Sequence, residues 1–116
     1  MKFVKSMFPL FAAAAMGSLM VVCSLAADEK PDGAAVYKAK CSMCHGAEGK
    51  GFSAIKTPDF TDPKVQASLK DKEISDTIKN GKKGTAMVAF GDKLKEDEID
   101  ALVKYIRSLD SSKKKN

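Results

Sequence analysis

A single histidine, His45, in 116 residues removes several chemistries before any motif is considered. One imidazole supplies no two-histidine metal site, and no evident carboxylate pair stands in for it, so ordinary acid-base enzymology is unserved. Cysteine is almost as scarce. Of three residues, Cys23 lies in an apolar leader, which leaves Cys41 and Cys44 for the body of the chain. Alternating apolar and polar runs of the kind that make strands are missing, and so are internal repeats. The glycine-rich stretch Gly46-Ala-Glu-Gly49-Lys-Gly51 has neither a preceding strand nor the Gly-Lys-Ser/Thr ending of a phosphate-binding loop. Positive charge is in modest excess, and the run Lys113 to Lys115 has no interleaved aromatics. That balance gives no reason to expect nucleic-acid binding.

The first 26 residues read as a secretory signal. Lys2 and Lys5 precede an apolar run from Met7 to Val22, which ends in the small residues Ser24, Ala26 and Ala27. Cleavage after Ala26 is expected. Two alternatives stand beside it: an uncleaved membrane anchor, and acylation at Cys23, against which Val22 counts. Loss of Lys2 and Lys5 takes the formal charge from +5 to +3. The remaining body is small, and a chain of this size buries only a little over ~60% of its unfolded surface. A large apolar cofactor would fill that deficit.

Cys41-Ser42-Met43-Cys44-His45 is the stretch that calls for one. Cys-x-x-Cys-His is the attachment signature of a c-type haem. Each thiol adds across a vinyl group of the porphyrin, and the adjacent imidazole reaches the iron. A redox dithiol would want a βαβ setting, and a structural zinc site would want four ligands; neither is present in the sequence. Export agrees with the motif, because attachment then leaves the mature chain without a free thiol.

The remaining pattern is helical. Pro31-Asp32 opens a helix expected from about Pro31 to Cys44, with Gly33, Tyr37 and Cys41 along one side. Gly33 is either a tolerated defect or the place where another helix crosses closely. Residues 52–60 read as irregular, and Phe52, Ile55 and Phe60 either close over a porphyrin or belong to the core. Asp62-Pro63 starts a short helix to Leu69, with Val65 and Leu69 inward. Asp71 is expected to cap Lys72 to Asn80, where Ile74 and Ile78 pair and Gly81 stops the helix. Residues 82–93 form a loop carrying Met87 and Phe90. A last helix, Glu96 to Leu109, carries the stripe Ile99, Leu102, Val103, Ile106 and Leu109, with Leu94 and Ile99 as a hydrophobic staple. Domain bounds follow: a signal over 1–26, one domain over 27–110, and a flexible lysine-rich tail over 111–116.

The second iron ligand is reached by elimination. Bis-histidine ligation is excluded, and after the leader only Met43 and Met87 remain as thioethers. Met43 sits inside the attachment turn, on the side of His45. Met87 is left, in a loop rather than on an apolar helical face. A lysine ligand or an open position are the alternatives.

The chain resembles the bacterial class I cytochromes c. The likeness rests on Gly33-x-x-x-Tyr37-x-x-x-Cys41, Cys41-x-x-Cys44-His45-Gly46, Met87-Val-Ala-Phe90-Gly-Asp-Lys-Leu94 and Leu102-x-x-Tyr105. It implies an all-α fold of four to five short helices around one covalent haem c, with Gly33, Tyr37, Leu102 and Tyr105 where the first and last helices cross. It also implies that the Pro58 carbonyl accepts the Nδ1 proton of His45. Val88 departs from the proline that often follows the ligand methionine in that family. The implied function is one-electron transfer between larger redox proteins by a periplasmic monomer that is not membrane-inserted once its signal is removed. Lys50, Lys56, Lys82, Lys83 and Lys93 either ring the haem edge to meet an acidic partner or are ordinary solubilising charges. Rival functions are an open-site haem enzyme or sensor, and an electron-relay subunit of a membrane-bound oxidoreductase.

Overall fold

The computed structural model describes residues 29–115, so the expected signal and Cys23 lie outside the described residues. Five α-helices follow in order: α1 Gly33–Lys40, α2 Ser42–His45, α3 Pro63–Ser68, α4 Asp71–Asn80 and α5 Glu96–Ser108. Short 3-10 turns cover Ser53–Ile55 and Ser111–Lys115, and there is no strand among the described residues. The all-α expectation holds.

α1 begins where the Asp32 carboxylate accepts the Ala34 N–H at 3.0 Å, satisfying one of the amides that a helix start leaves open. It crosses α5 at Gly33. A Cβ there would overlap the Ala101 carbonyl oxygen and come within 2.6 Å of its carbon. Glycine is therefore what lets the two backbones touch. One turn on, Tyr37 and Tyr105 pack with ring centroids 5.1 Å apart and planes tilted by 53°. Leu102 beside them is fully buried. The close-crossing reading of Gly33 is the correct one.

α5 buries the stripe the sequence promised: Ile99, Leu102, Val103 and Ile106, with Leu109 just past its end. α4 adds Ile74 and Ile78, and Leu94 and Phe60 complete the core. Leu94 precedes the N-cap and Ile99 is the fourth helical residue, the positions of a hydrophobic staple.

Four local expectations need correction. The single helix from Pro31 to Cys44 is two, because the Ser42 hydroxyl takes the Lys38 carbonyl (2.7 Å) and the chain bends at Cys41. Asp71 is not the cap of α4. It is the first helical residue, the Glu73 carboxylate accepts the Lys70 N–H (3.1 Å), and Asp71 pairs with Arg107 at 2.6 Å instead. In α3, Gln66 is buried and Val65 only half-buried, while Leu69 just past its end packs half-buried on the core as expected. Finally, Ser111 to Lys115 makes a turn in which the Ser111 N–H donates to the Thr61 carbonyl at 3.0 Å, with Asp110 capping Ser112.

Candidate haem site

α2 is a single turn that places Cys41, Cys44 and His45 together. The N–H groups of Cys44 and His45 both donate to the Cys41 carbonyl, at 3.2 and 2.9 Å. Cys41 is half-buried against the core and Cys44 is exposed. In the unmodified chain, burial first and the Cys44 thiol second push the Cys41 thiol up to about 11. A thiol held protonated in this way is the opposite of the low-pKa cysteine that a redox dithiol or a thiolate metal site needs. Among the described residues no cluster of three or more His, Cys, Asp or Glu side chains is arranged for a metal ion.

His45 ends the turn, and its ring stacks on Phe60 with centroids 5.1 Å apart and planes 18° from parallel. Burial lowers its pKa and favours the neutral imidazole, which is the form that ligates iron. Nδ1 is buried without a hydrogen-bond partner. The bond to the Pro58 carbonyl expected from the resemblance is thus not made in this structure. That carbonyl lies against Gly51 instead, where a Cβ would come within 2.6 Å of it; Gly51 has φ of 68°, and its N–H donates to the His45 carbonyl at 2.8 Å. Only glycine lets the two segments approach this closely at that φ. The loop after His45 is closed further by the Tyr37 hydroxyl, which donates to the Gly46 carbonyl at 2.9 Å. Burial holds that phenol well above its ordinary pKa, so it stays a donor.

Met87 lies in a loop folded back on the end of α4. Phe90 and Gly91 donate their N–H groups to the Ile78 and Lys79 carbonyls at 2.8 and 3.0 Å, and the Lys82 N–H reaches the Met87 carbonyl at 3.1 Å. Met87 and Phe90 pack, half-buried, on the same core as Cys41. Phe52, Ile55 and Val88 stand 47 to 56% exposed. Phe60, by contrast, belongs to the core. This donor set fits a haem. Paired thiols stand on one turn, a neutral imidazole has an orphaned buried nitrogen, and a thioether on a second loop packs on the same core.

Sequence reasoning missed Gln66 and Arg107. The Gln66 side chain donates to the Phe60 and Ile106 carbonyls, and Arg107 reaches Gln66, Leu69 and Asp71. A polar residue between two apolar ones in a short helix was the only signal.

An all-α fold built around a Cys-x-x-Cys-His turn defines a c-type cytochrome domain. The family model described as cytochrome C oxidase, cbb3-type, subunit III matches residues 28–106, and the chain belongs to that family. Its cofactor is accordingly a covalently attached haem c. The chain is 35% identical over 77 residues to the cbb3-type cytochrome c oxidase subunit FixP of Azorhizobium caulinodans, covering 66% of this chain but 26% of that protein. It thus spans about a quarter of the length of that relative. It is 32% identical over 76 residues to cytochrome c6 of Bryopsis maxima, covering 64% of this chain and 84% of that one. Among solved structures, the KustC0563 c-type cytochrome superposes with a TM-score of 0.64 at 30% identity, covering 68% of this chain and 98% of that one.

Proposed function

We propose that this protein is a one-electron carrier in which Cys41 and Cys44 would hold the haem through thioethers and His45 and Met87 would ligate its iron. The observation that carries this is the half-buried His45 ring at the end of the Cys41–Cys44 turn. When bound, the haem supplies a centre that alternates between ferric and ferrous iron. The chain's part is to hold its ligands still. The Phe60 stack and the Gly51 N–H to the His45 carbonyl restrain the histidine side, and the three backbone bonds of the Met87 loop restrain the other. Ligands held in place in both oxidation states make electron transfer cheap in reorganisation. A thioether ligand also favours ferrous iron and raises the potential.

The test is the visible and near-infrared spectrum. The purified protein keeps its haem through acid-acetone extraction, and the ferric form has a weak far-red sulfur-to-iron band that Met87→Ala abolishes. A high-spin ferric spectrum without that band, with ready carbon monoxide binding on reduction, would move the assignment to an open-site haem protein. If the signal is cleaved as the leader suggests, the mass equals residues 27–116 plus one haem, and the working place is the periplasm. Among the described residues no helix is long and apolar enough to cross a membrane.

A second reading is favoured by the family match: the domain relays electrons inside a membrane-bound oxidoreductase. Stable co-purification with larger haem proteins would select it over a monomer that exchanges partners freely. In either case the partner surface proposed is acidic, because Lys56, Lys82 and Lys83 are exposed in the segments that lead to Pro58 and Met87.

A further inference from the structure

A buried amide costs free energy unless its polar atoms are paired. Gln66, 5% exposed, pairs all of them. Its Nε2 donates to the carbonyls of Phe60 (2.6 Å) and Ile106 (2.8 Å), and its Oε1 accepts from Nη1 of Arg107 (3.1 Å). An apolar side chain would fill this place against the core without that cost, so what the amide holds is the informative part. Phe60 is gripped at both ends of its backbone: the N–H donates to the Gly49 carbonyl at 2.7 Å, in the loop that follows His45, and the C=O receives Gln66. A phenylalanine has only two side-chain torsions, so a fixed backbone in a packed core fixes the ring. That ring is 7% exposed and lies nearly parallel to the His45 imidazole. The stack is thus a contact through which the Phe60 backbone bears on the plane of the imidazole.

We propose that Gln66 is a positioning residue of the haem site, setting the plane of the His45 ring through the backbone of Phe60. The inference rests on the reading of His45 as an iron ligand. Groups behind a ligand histidine fix its orientation and tune the metal. The plane of the imidazole decides how its orbitals meet those of the iron, so it is written into the ferric low-spin resonance spectrum and the midpoint potential. The outer arm of the same network is an internal control. Arg107 Nε bonds the exposed Asp71 carboxylate at 2.6 Å, a contact that secures α4 to α5 without touching Phe60.

The experiment compares haem-loaded wild type with Gln66→Met, which keeps the volume and loses the donors, and with Asp71→Asn. Where Gln66→Met does not accumulate, Gln66→Glu, which loses both N–H donors, takes its place. The expected result is a shifted or broadened set of ferric g values and a changed midpoint potential in the Gln66 variant, with both unchanged in Asp71→Asn. Both variants should unfold at lower denaturant. Phe60→Leu should move the same signals, and the Gln66 substitution should add nothing further once Phe60 is Leu. Identical ferric spectra for wild type and the Gln66 variant, or for wild type and Phe60→Leu, overturn the proposal while leaving the haem reading intact. A protein without covalent haem overturns both.

Discussion

Asp59 shows how much of the site's neighbourhood hangs on single short contacts. Its carboxylate accepts the Thr61 hydroxyl at 2.6 Å and the Thr61 N–H at 2.8 Å, closing the turn that carries Phe60 toward α3. The Thr61 hydroxyl is the largest influence lowering the Asp59 pKa from its ordinary 3.8. A carboxylate with a depressed folded pKa contributes stability that is present above the ordinary value and is lost as pH falls through the depressed one. Thr61→Val should therefore be less stable to denaturant than wild type at neutral pH, and the gap should close as pH drops below 3.8. Tyr37→Phe keeps the ring that packs on Tyr105 and removes only the donor to the Gly46 carbonyl, so about 1–3 kcal/mol of unfolding free energy should go with it. At this scale the sequence was readable where chemistry is local. Cys41, Cys44 and His45 announce themselves by spacing alone. Gln66 did not, because its partners Ile106 and Arg107 are some forty residues away in the chain and a local pattern holds no trace of them.

Among the helices, the crossing of α1 on α5 was legible through the family resemblance, because the residues alone left Gly33 open between a tolerated defect and a close approach. Gly33→Ala should destabilise by at least about 1–3 kcal/mol, since the new Cβ meets main-chain carbonyl rather than a movable side chain. Leu102→Ala, at the same contact, should cost about 2–5 kcal/mol for the opposite reason, a void left in the core. Thermal or denaturant unfolding of the haem-loaded variants checks both. The helix ends were read less well. Asp71 looked like a cap because aspartate commonly is one. Its carboxylate is drawn to Arg107 instead, and Glu73 closes the helix start from inside the first turn. The bend at Cys41 was equally hidden, since it depends on whether the Ser42 hydroxyl or its own amide claims the Lys38 carbonyl.

For the molecule as a whole, the lysines near the two ligand segments are not equivalent. All five are exposed, but Lys50 is paired with Glu48 at 3.0 Å and Lys93 lies over the Phe90 ring, whereas Lys56, Lys82 and Lys83 make no salt bridge among the described residues. If these three steer an acidic redox partner, the bimolecular electron-transfer rate falls as salt rises, because screening acts over ~10 Å at ~0.1 M. Lys82→Glu with Lys83→Glu should flatten that dependence, and stopped-flow rates across ionic strength decide it. The contact of Gly33 with Ala101 has a further consequence in the order of assembly. It joins the first and last α-helices of the described chain, so the loop it closes takes in nearly everything else, and such long-range closure is slow. A chain emerging with its N-terminus first presents Cys41 to His45 well before α5 exists to dock. Until α5 docks, Cys41 lacks the core it packs against in the folded chain, whereas Cys44 stays exposed even afterwards.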